Sequence, residues 1–244
     1  MIRHLTLYLS FFFLVSTTAL SQPVRVAAAS SMADFLAEVK TIYESKKGIP
    51  VEIITNSSGA LTNQIMNGAP YDLFLSANTK YTQQLHHRNI RSFPPSTFAY
   101  NQLVIWSKTP LTDPQHYILS SECHTIGLAQ PELAPFGALA IQYLDSLEVT
   151  SLVQEKLVFG NNISITNQFI YTQNVDLAFT SKSSVLKLQS QVACCWTDIP
   201  TALLPVIPQS ALPLNQTGQS FLLFLTTDPD TANILAKYGY LPAH

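Results

Sequence analysis

Charged residues are scarce in this chain. Asp, Glu, Lys and Arg make up 11% of the 244 residues, against roughly 25% in ordinary soluble domains. The formal net charge at pH 7 is −2, so neither a nucleic acid nor an anionic membrane surface is favoured as a partner. Apolar residues reach 47%, and the length allows one large α/β domain or two lobes of about 100–120 residues each.

Long apolar runs are also missing beyond the first residues. The chain begins with a short basic start, an apolar run from Leu5 to Val15, and the small-residue sequence Ala19-Leu20-Ser21. This order is typical of a signal peptide, and cleavage is predicted before Gln22. A retained anchor is the alternative, but the run is shorter than the ~20 residues that a membrane-spanning helix needs. We therefore expect an exported, soluble mature protein.

Cysteine is limited to Cys123, Cys194 and Cys195, and their spacing fits no zinc motif. In an oxidising compartment one disulfide is expected, between Cys123 and either member of the adjacent pair, because a vicinal bridge is strained. The neighbours His86 and His87 do not predict a metal site, because adjacent helical residues point about 100° apart.

The chain instead offers polar turns between strands and helices. A buried strand is predicted over residues 24–29, and Ser30 and Ser31 follow it before an amphipathic helix over residues 32–45. Either serine is expected to cap that helix through its side-chain oxygen.

A second polar turn follows the next predicted strand, residues 51–54. The cluster Thr55-Asn56-Ser57-Ser58-Gly59 precedes a helix over residues 60–67, and Ser57 or Ser58 is the expected cap. In an open parallel sheet such turns lie side by side, at the edge where ligands bind. Helix starts carry unpaired N–H groups and the positive end of the helix dipole, so the two turns predict an anion site. Two ordinary N-caps are the alternative interpretation.

The second half of the chain repeats the order of strand, polar turn and helix. Its predicted elements are strands over residues 125–129, 157–159 and 175–179 and helices over residues 138–146 and 165–171. Residues 103–106 are interpreted as a first crossing into another lobe, and the proline-rich run 202–208 as a second connector. A single last helix is predicted from the apolar run 220–226 onward through Lys237.

Several short motifs follow one another along the chain. They are Ala27-Ala28-Ala29-Ser30, Ser57-Ser58-Gly59, Gln64-Ile65, Gly68-Ala69-Pro70-Tyr71-Asp72-Leu73-Phe74-Leu75-Ser76-Ala77, Asn101-Gln102-Leu103-Val104, Pro135-Phe136-Gly137, Asn162-Ile163 and Tyr238-Gly239-Tyr240. In these motifs the chain resembles the periplasmic molybdate-binding proteins of ABC importers. The resemblance spans nearly all of the mature chain, and the ten-residue string from Gly68 to Ala77 is its most specific part.

The resemblance implies an α/β fold of the two-lobed periplasmic-binding-protein type. Each lobe would be a mixed sheet flanked by helices, and two hinge strands would join the lobes. Residues 1–21 would be the signal peptide, residues 22–102 and 207–244 lobe 1, and residues 103–206 lobe 2. A tetrahedral oxyanion would lie in the cleft between the lobes.

The resemblance also assigns the ligand-binding residues. Ser30 and Ser58 would each give a hydroxyl and a backbone N–H from a helix start, and Phe136 and Ile163 would give backbone N–H groups. A tyrosine that often donates in the family aligns with Ser181, whose shorter side chain would reach the anion directly, through water or not at all. Molybdenum would be bound only as the oxyanion, through these same residues.

The function implied is capture of molybdate, together with tungstate, in the periplasm and delivery to the permease of an ABC importer. We expect a monomer without a cofactor and without enzymatic activity. A cage of neutral donors favours a fully deprotonated ion, and ion size then separates molybdate and tungstate from sulfate.

Other functions fit parts of the same pattern. The fold could bind sulfate, another oxyanion or a small organic acid, or serve as a sensor without a transporter. An exported serine hydrolase would need Ser30 or Ser58 as nucleophile and His116 or His124 as base. Neither serine lies in a Gly-x-Ser-x-Gly motif.

Overall fold

The computed structural model describes residues 22–88, 90, 93–192 and 195–243. The predicted signal peptide, residues 1–21, lies outside this part of the chain. Within it, every helix falls short of the length and hydrophobicity that crossing a bilayer requires.

Eleven strands and ten helices make up the described chain. The strands are β1 (Val24–Ala29), β2 (Val51–Asn56), β3 (Leu73–Ser76), β4 (Ser96–Asn101), β5 (Leu103–Ser107), β6 (Ile126–Ala129), β7 (Leu157–Gly160), β8 (Leu177–Ser181), β9 (Cys195–Asp198), β10 (Ile207–Pro213) and β11 (Leu241–Pro242). The helices are α1 (Ala33–Lys47), α2 (Ser58–Met66), α3 (Thr79–His87), α4 (Pro114–Leu119), α5 (Pro135–Ser146), α6 (Thr150–Val153), α7 (Ile163–Tyr171), α8 (Lys182–Leu188), α9 (Gln216–Thr227) and α10 (Pro229–Lys237). Short 3₁₀ turns cover Ser30–Met32 and Gln154–Lys156.

The first lobe is built on a six-stranded mixed sheet in the order β11-β4-β10-β3-β1-β2. Strand β1 pairs in parallel with β2 and β3, while β10 runs antiparallel to β3 and β4. Both faces of β1 are covered, as its run of buried alanines requires: Ala28 packs with the side of α1, and Ala27 packs with Leu61 of α2. The carboxyl ends of three parallel strands therefore meet at one edge of this sheet.

The second lobe has a five-stranded sheet in the order β7-β6-β8-β5-β9. Strand β6 pairs in parallel with β7 and β8, and β5 runs antiparallel to β8 and β9. One face packs against α5 through Phe136 and Tyr143, and the other packs Val104 and Trp106 against α7 and α8. The predicted fold class, two mixed sheets flanked by helices, is confirmed.

The chain passes between the two sheets twice. Asn101 ends β4 in the first sheet and Leu103 begins β5 in the second, while β9 leads through residues 199–206 back to β10. We propose that the lobes divide at these crossings, as residues 22–102 with 207–244 and residues 103–206.

The C-terminal segment departs from the prediction of one long helix. Helices α9 and α10 are separated at Asp228, which is extended, and Pro229 begins α10. The proline ring disfavours helical geometry in the residue before it, whereas the first helical position tolerates its missing N–H. The Asp228 carboxylate accepts the N–H of Asp230 at 3.0 Å, so the break is itself capped.

The cysteines also depart from the prediction. Cys123 and Cys195 are both free thiols, so the predicted bridge between them is wrong. Cys123 is buried in the core, and this burial raises the pKa of its thiol to about 11. Cys194, the other predicted partner of Cys123, lies outside the described residues.

Candidate functional site

A small cavity of about 10 Å³ lies between the two lobes. Its wall combines the ends of β1 and β2, the residue after β3, and the starts of α5 and α7: Ala29, Ser30, Ser31, Asn56, Ser57, Ser58, Ala77, Ala134, Pro135, Phe136 and Ile163. The volume is close to the roughly 10–15 Å³ that admits one water molecule and far below the roughly 300 Å³ of organic-ligand pockets. The cavity in this closed arrangement is therefore too small for an organic ligand.

The first serine turn does not cap α1. Ser30 and Ser31 form a 3₁₀ turn, and Met32 takes the N-cap position without a side-chain hydrogen bond. Ser30 Oγ instead accepts the backbone N–H of Ser164, from the other lobe, at 3.4 Å. The prediction that either serine caps this helix is wrong, so neither hydroxyl oxygen is occupied by an N–H of α1.

The two serines of the second turn have different roles. Ser57 is the N-cap of α2, and its Oγ accepts the N–H of Ala60 at 3.4 Å. Ser58 is the first residue of the helix and is fully buried. Its Oγ accepts the N–H of Ala77 at 3.1 Å. Because an N–H already occupies one lone pair of Ser58 Oγ, its hydroxyl proton is available for an acceptor in the cavity.

The second lobe lines the cavity with the backbone of two helix starts rather than with serine hydroxyls. Phe136 is the second residue of α5, after Pro135, and Ile163 is the first residue of α7, after its cap Asn162. N–H groups in the first turn of a helix have no acceptor within the helix, and the helix dipole is positive there. A Cβ on Gly137 would lie 2.0 Å from the carbonyl oxygen of Ala129, so glycine is what allows α5 to start so close to β6.

Three helix starts thus face one cavity, those of α2, α5 and α7. All wall residues are uncharged, and neither His116 nor His124 is among them. Among the described residues, no group of three His, Cys, Asp or Glu side chains could hold a metal ion. The chemistry that this arrangement offers is hydrogen-bond donation to an anion by neutral groups.

Ser181 is not brought to the cavity wall. It ends β8 and caps α8, where its Oγ accepts the N–H of Ser184 at 3.2 Å. The same oxygen lies 2.7 Å from Ser184 Oγ and 3.0 Å from Ser183 Oγ, and the residue is fully buried. Its hydroxyl is thus engaged within the second lobe.

The serines around Ser181 link the hinge to the first serine turn. Asn101, at the end of β4, donates from Nδ2 to Ser183 Oγ at 3.0 Å, and Ser183 Oγ donates to the carbonyl oxygen of Ser31 at 3.0 Å. The hydroxyl of Tyr240 donates to that same carbonyl at 3.3 Å. Complete burial of Tyr240 raises the pKa of its phenol, so it stays a neutral donor.

Further hydrogen bonds hold the lobes together around the cavity. The N–H of Gly59 donates to the carbonyl of Leu133 at 2.9 Å, and the Tyr81 hydroxyl donates to the carbonyl of Glu132 at 3.0 Å. Asn162 Nδ2 donates to Asn56 Oδ1 at 3.3 Å. The lobes are therefore closed on each other in this structure.

Sequence reasoning missed some of these residues. Asn56 was part of a recognised polar cluster, and Asn162 stands at a helix start, but nothing in the sequence places them opposite each other. Ala77 acts through its backbone N–H, which donates to Ser58 Oγ. A backbone donor leaves no side-chain pattern in the sequence. Only a rule that pairs one turn from each lobe would have found them.

Paired sheets, two crossings of the chain and a cavity between the lobes lined by uncharged residues are the architecture of a solute-binding protein. The family described as Bacterial extracellular solute-binding protein matches residues 24–241, and the chain belongs to this family.

The names of individual relatives are more specific than the description of the family. The chain is 31% identical over 227 residues to Molybdate-binding protein ModA of Rhodobacter capsulatus, covering 89% of this chain and 88% of the relative. It is 29% identical over 235 residues to Molybdate-binding protein ModA of Azotobacter vinelandii, covering 93% of each. The solved periplasmic molybdate-binding protein of A. vinelandii superposes with a TM-score of 0.82 at 24% identity, covering 91% of this chain and 100% of that one.

Proposed function

We propose that this protein is an exported solute-binding protein that captures molybdate, and tungstate with it, between its lobes. It would deliver the ion to the permease of an ABC importer, acting in the periplasm as a monomer. The relatives that are about 30% identical over most of the chain are molybdate-binding proteins, which supports this ligand.

The observation that carries the proposal is the convergence of three helix starts and two pre-oriented serine hydroxyls on an uncharged cavity. A buried dianion is costly unless its oxygens are hydrogen-bonded. Each charge-assisted hydrogen bond contributes roughly 1.5–3 kcal/mol. Several of them together give micromolar binding or tighter, at about −8 kcal/mol or below. The ligand set would be Ser30 and Ser58 from one lobe and the N–H groups of Phe136 and Ile163 from the other.

Neutral donors also account for selectivity. A lysine or arginine would attract phosphate and organic acids as well, whereas fixed N–H groups favour an ion whose oxygens are all unprotonated. Because the donors sit on two rigid lobes, their separation suits one ion size. A smaller sulfate would leave some donors beyond hydrogen-bond distance, which lowers its affinity.

One observation favours a small organic acid as a second candidate ligand. A groove of about 430 Å³ lies beside the cavity and shares Ser30 with it, and Lys187 from α8 and Asp34 from α1 are among its lining residues. An organic acid too large for the cavity could place its carboxylate near the serine turn and its remaining atoms in this groove.

Calorimetric titration of the mature protein with molybdate, tungstate, sulfate and a small dicarboxylic acid tests the proposal. We expect micromolar or tighter binding of molybdate and tungstate and at least tenfold weaker binding of sulfate. Equal affinity for sulfate would overturn the size argument, and binding of the dicarboxylic acid alone would replace molybdate by an organic ligand. Ester and phosphoester turnover, assayed in the same preparation, would reveal a hydrolase.

A further inference from the structure

A turn of the second lobe packs directly against the first lobe, outside the cavity. This turn, residues 130–134, connects β6 to α5. The hydroxyl of Tyr81, from α3, donates to the carbonyl oxygen of Glu132 at 3.0 Å. The N–H of Gly59, from α2, donates to the carbonyl oxygen of Leu133 at 2.9 Å. All four residues lie outside the cavity wall, so these two hydrogen bonds join the lobes without lining the site.

The ring of Tyr81 is anchored in the first lobe. It belongs to a buried cluster with Leu61, Phe74 and Leu85, and the residue is only 7% exposed. This burial raises the pKa of its phenol, so the hydroxyl stays a neutral donor. A stiff aromatic side chain thus carries one hydrogen-bond donor from the core of the first lobe to the backbone of the second.

The turn that accepts these bonds is held firmly within the second lobe. The carbonyl of Gln130 accepts the N–H groups of Leu133 at 3.2 Å and Ala134 at 2.8 Å. The N–H of Gln130 in turn donates to the carbonyl of Gly160, at the end of β7, at 2.7 Å. Leu133 lies three residues before Phe136, whose N–H is part of the proposed ligand set. The position of the turn against the first lobe therefore sets the position of the α5 start relative to the serines.

Gly59 permits a close approach of the two lobes at this contact. A Cβ on Gly59 would lie 3.1 Å from the Cα, the carbonyl oxygen and Cδ2 of Leu133, closer than the roughly 3.5–4.0 Å of an ordinary van der Waals contact. Gly59 is part of the helix α2, so its own backbone conformation does not require glycine. Its N–H lies in the first helical turn, without an acceptor inside the helix, and donates to the other lobe instead.

We infer that Tyr81 and Gly59 are positioning residues for ligand binding, which hold the turn before α5 against the first lobe and so determine how long the closed protein retains its ion. Their partners belong to the other lobe, so the contact forms only when the lobes close. Its free energy then favours the closed arrangement and adds to that of the bonds inside the cavity. This inference rests on the proposed function, since the ion is what the closed lobes retain.

Tyr81→Phe tests the hydrogen bond, because it removes the hydroxyl and keeps the ring. We expect roughly three- to tenfold weaker molybdate binding in calorimetry, the loss of one neutral hydrogen bond. The dissociation rate, measured by stopped-flow tryptophan fluorescence, should rise by the same factor, with the association rate within about twofold of wild type. Glu132 is exposed, so water can satisfy its carbonyl, and the ligand-free variant should melt as the wild type does.

Gly59→Ala tests the close approach. Alanine is more favourable than glycine inside a helix, so the ligand-free variant should melt above the wild-type temperature. Molybdate binding should nevertheless weaken roughly fivefold or more, because the added methyl group crowds Leu133 when the lobes close. A more stable protein that binds less tightly is a result that a purely structural role would not produce.

Tyr71→Phe is the matched control. The Tyr71 hydroxyl donates to Gln64 Oε1 at 2.7 Å, within the first lobe and outside the cavity wall, so its removal should leave the affinity and the dissociation rate unchanged. Wild-type affinity and dissociation rate in both Tyr81→Phe and Gly59→Ala would overturn the inference. So would a loss of affinity in Tyr81→Phe that appears in the association rate, since it would place the hydroxyl in ion capture. Absence of molybdate binding by the wild-type protein would instead overturn the proposed function.

Discussion

The two lobes contribute to the same cavity with different chemistry. The first lobe places Ser30, Ser31 and Ser58 in the cavity wall, and a single substitution can remove the hydroxyl of each. The second lobe supplies Phe136 and Ile163, whose side chains are apolar and whose donors are backbone N–H groups. Hydroxyl donors are encoded by residue type, whereas backbone donors are encoded by where a helix begins. The two halves of the site therefore tolerate substitution differently.

Ser58→Ala should produce the largest effect. The variant loses a charge-assisted bond to the ion, and the buried N–H of Ala77 loses its acceptor. We expect at least tenfold weaker molybdate binding in calorimetry, together with a loss of about 1–3 kcal/mol in unfolding free energy by denaturant titration. Unchanged affinity would remove Ser58 from the site and with it the contrast between the lobes.

Ile163→Pro should weaken molybdate binding by about tenfold, because it removes a backbone donor while the helix start is kept. Proline is favoured at the first helical position, and the preceding Asn162 is already extended, at φ −161° and ψ 177°. Ile163→Val, which keeps the N–H, is the control and should bind molybdate within about twofold of wild type. Equal binding by the proline and valine variants would show that the second lobe does not act through this N–H.

Ser181→Ala should have the smallest effect on affinity. The Ser181 hydroxyl bonds to Ser183 and Ser184 rather than lining the cavity, so we expect molybdate affinity within about threefold of wild type. The unfolding free energy should fall by about 1–3 kcal/mol because a fully buried hydroxyl network is broken. A tenfold loss of affinity with unchanged stability would mean that Ser181 is a direct ligand after all.

Residue patterns predicted the elements better than their junctions. The alanine-rich β1, the polar turn before α2 and the alternation of strands and helices follow from local hydrophobicity and turn residues. The exact ends of the helices did not follow from the pattern. Pro229 divides the predicted last helix into α9 and α10, and Met32 rather than a serine is the N-cap of α1. A cap and a ligand donor require the same residue types, so local sequence does not distinguish them.

The sequence by itself determined the order of strands, polar turns and helices, because hydrophobic period and turn chemistry act over short distances. Its resemblance to a known family implied the two lobes and the four predicted ligand residues that lie in the cavity wall. Only the tertiary structure decided which hydroxyls are free. Ser31 and Ser181 are both small polar residues at the end of a strand, yet one is without a partner and the other makes several hydrogen bonds. Ser181 finds its partners close by in sequence, Ser183 and Ser184. The groups that reach Ser31, the hydroxyls of Ser183 and Tyr240, are distant in sequence and bond to its backbone carbonyl rather than to its hydroxyl, and only the folded chain brings them there.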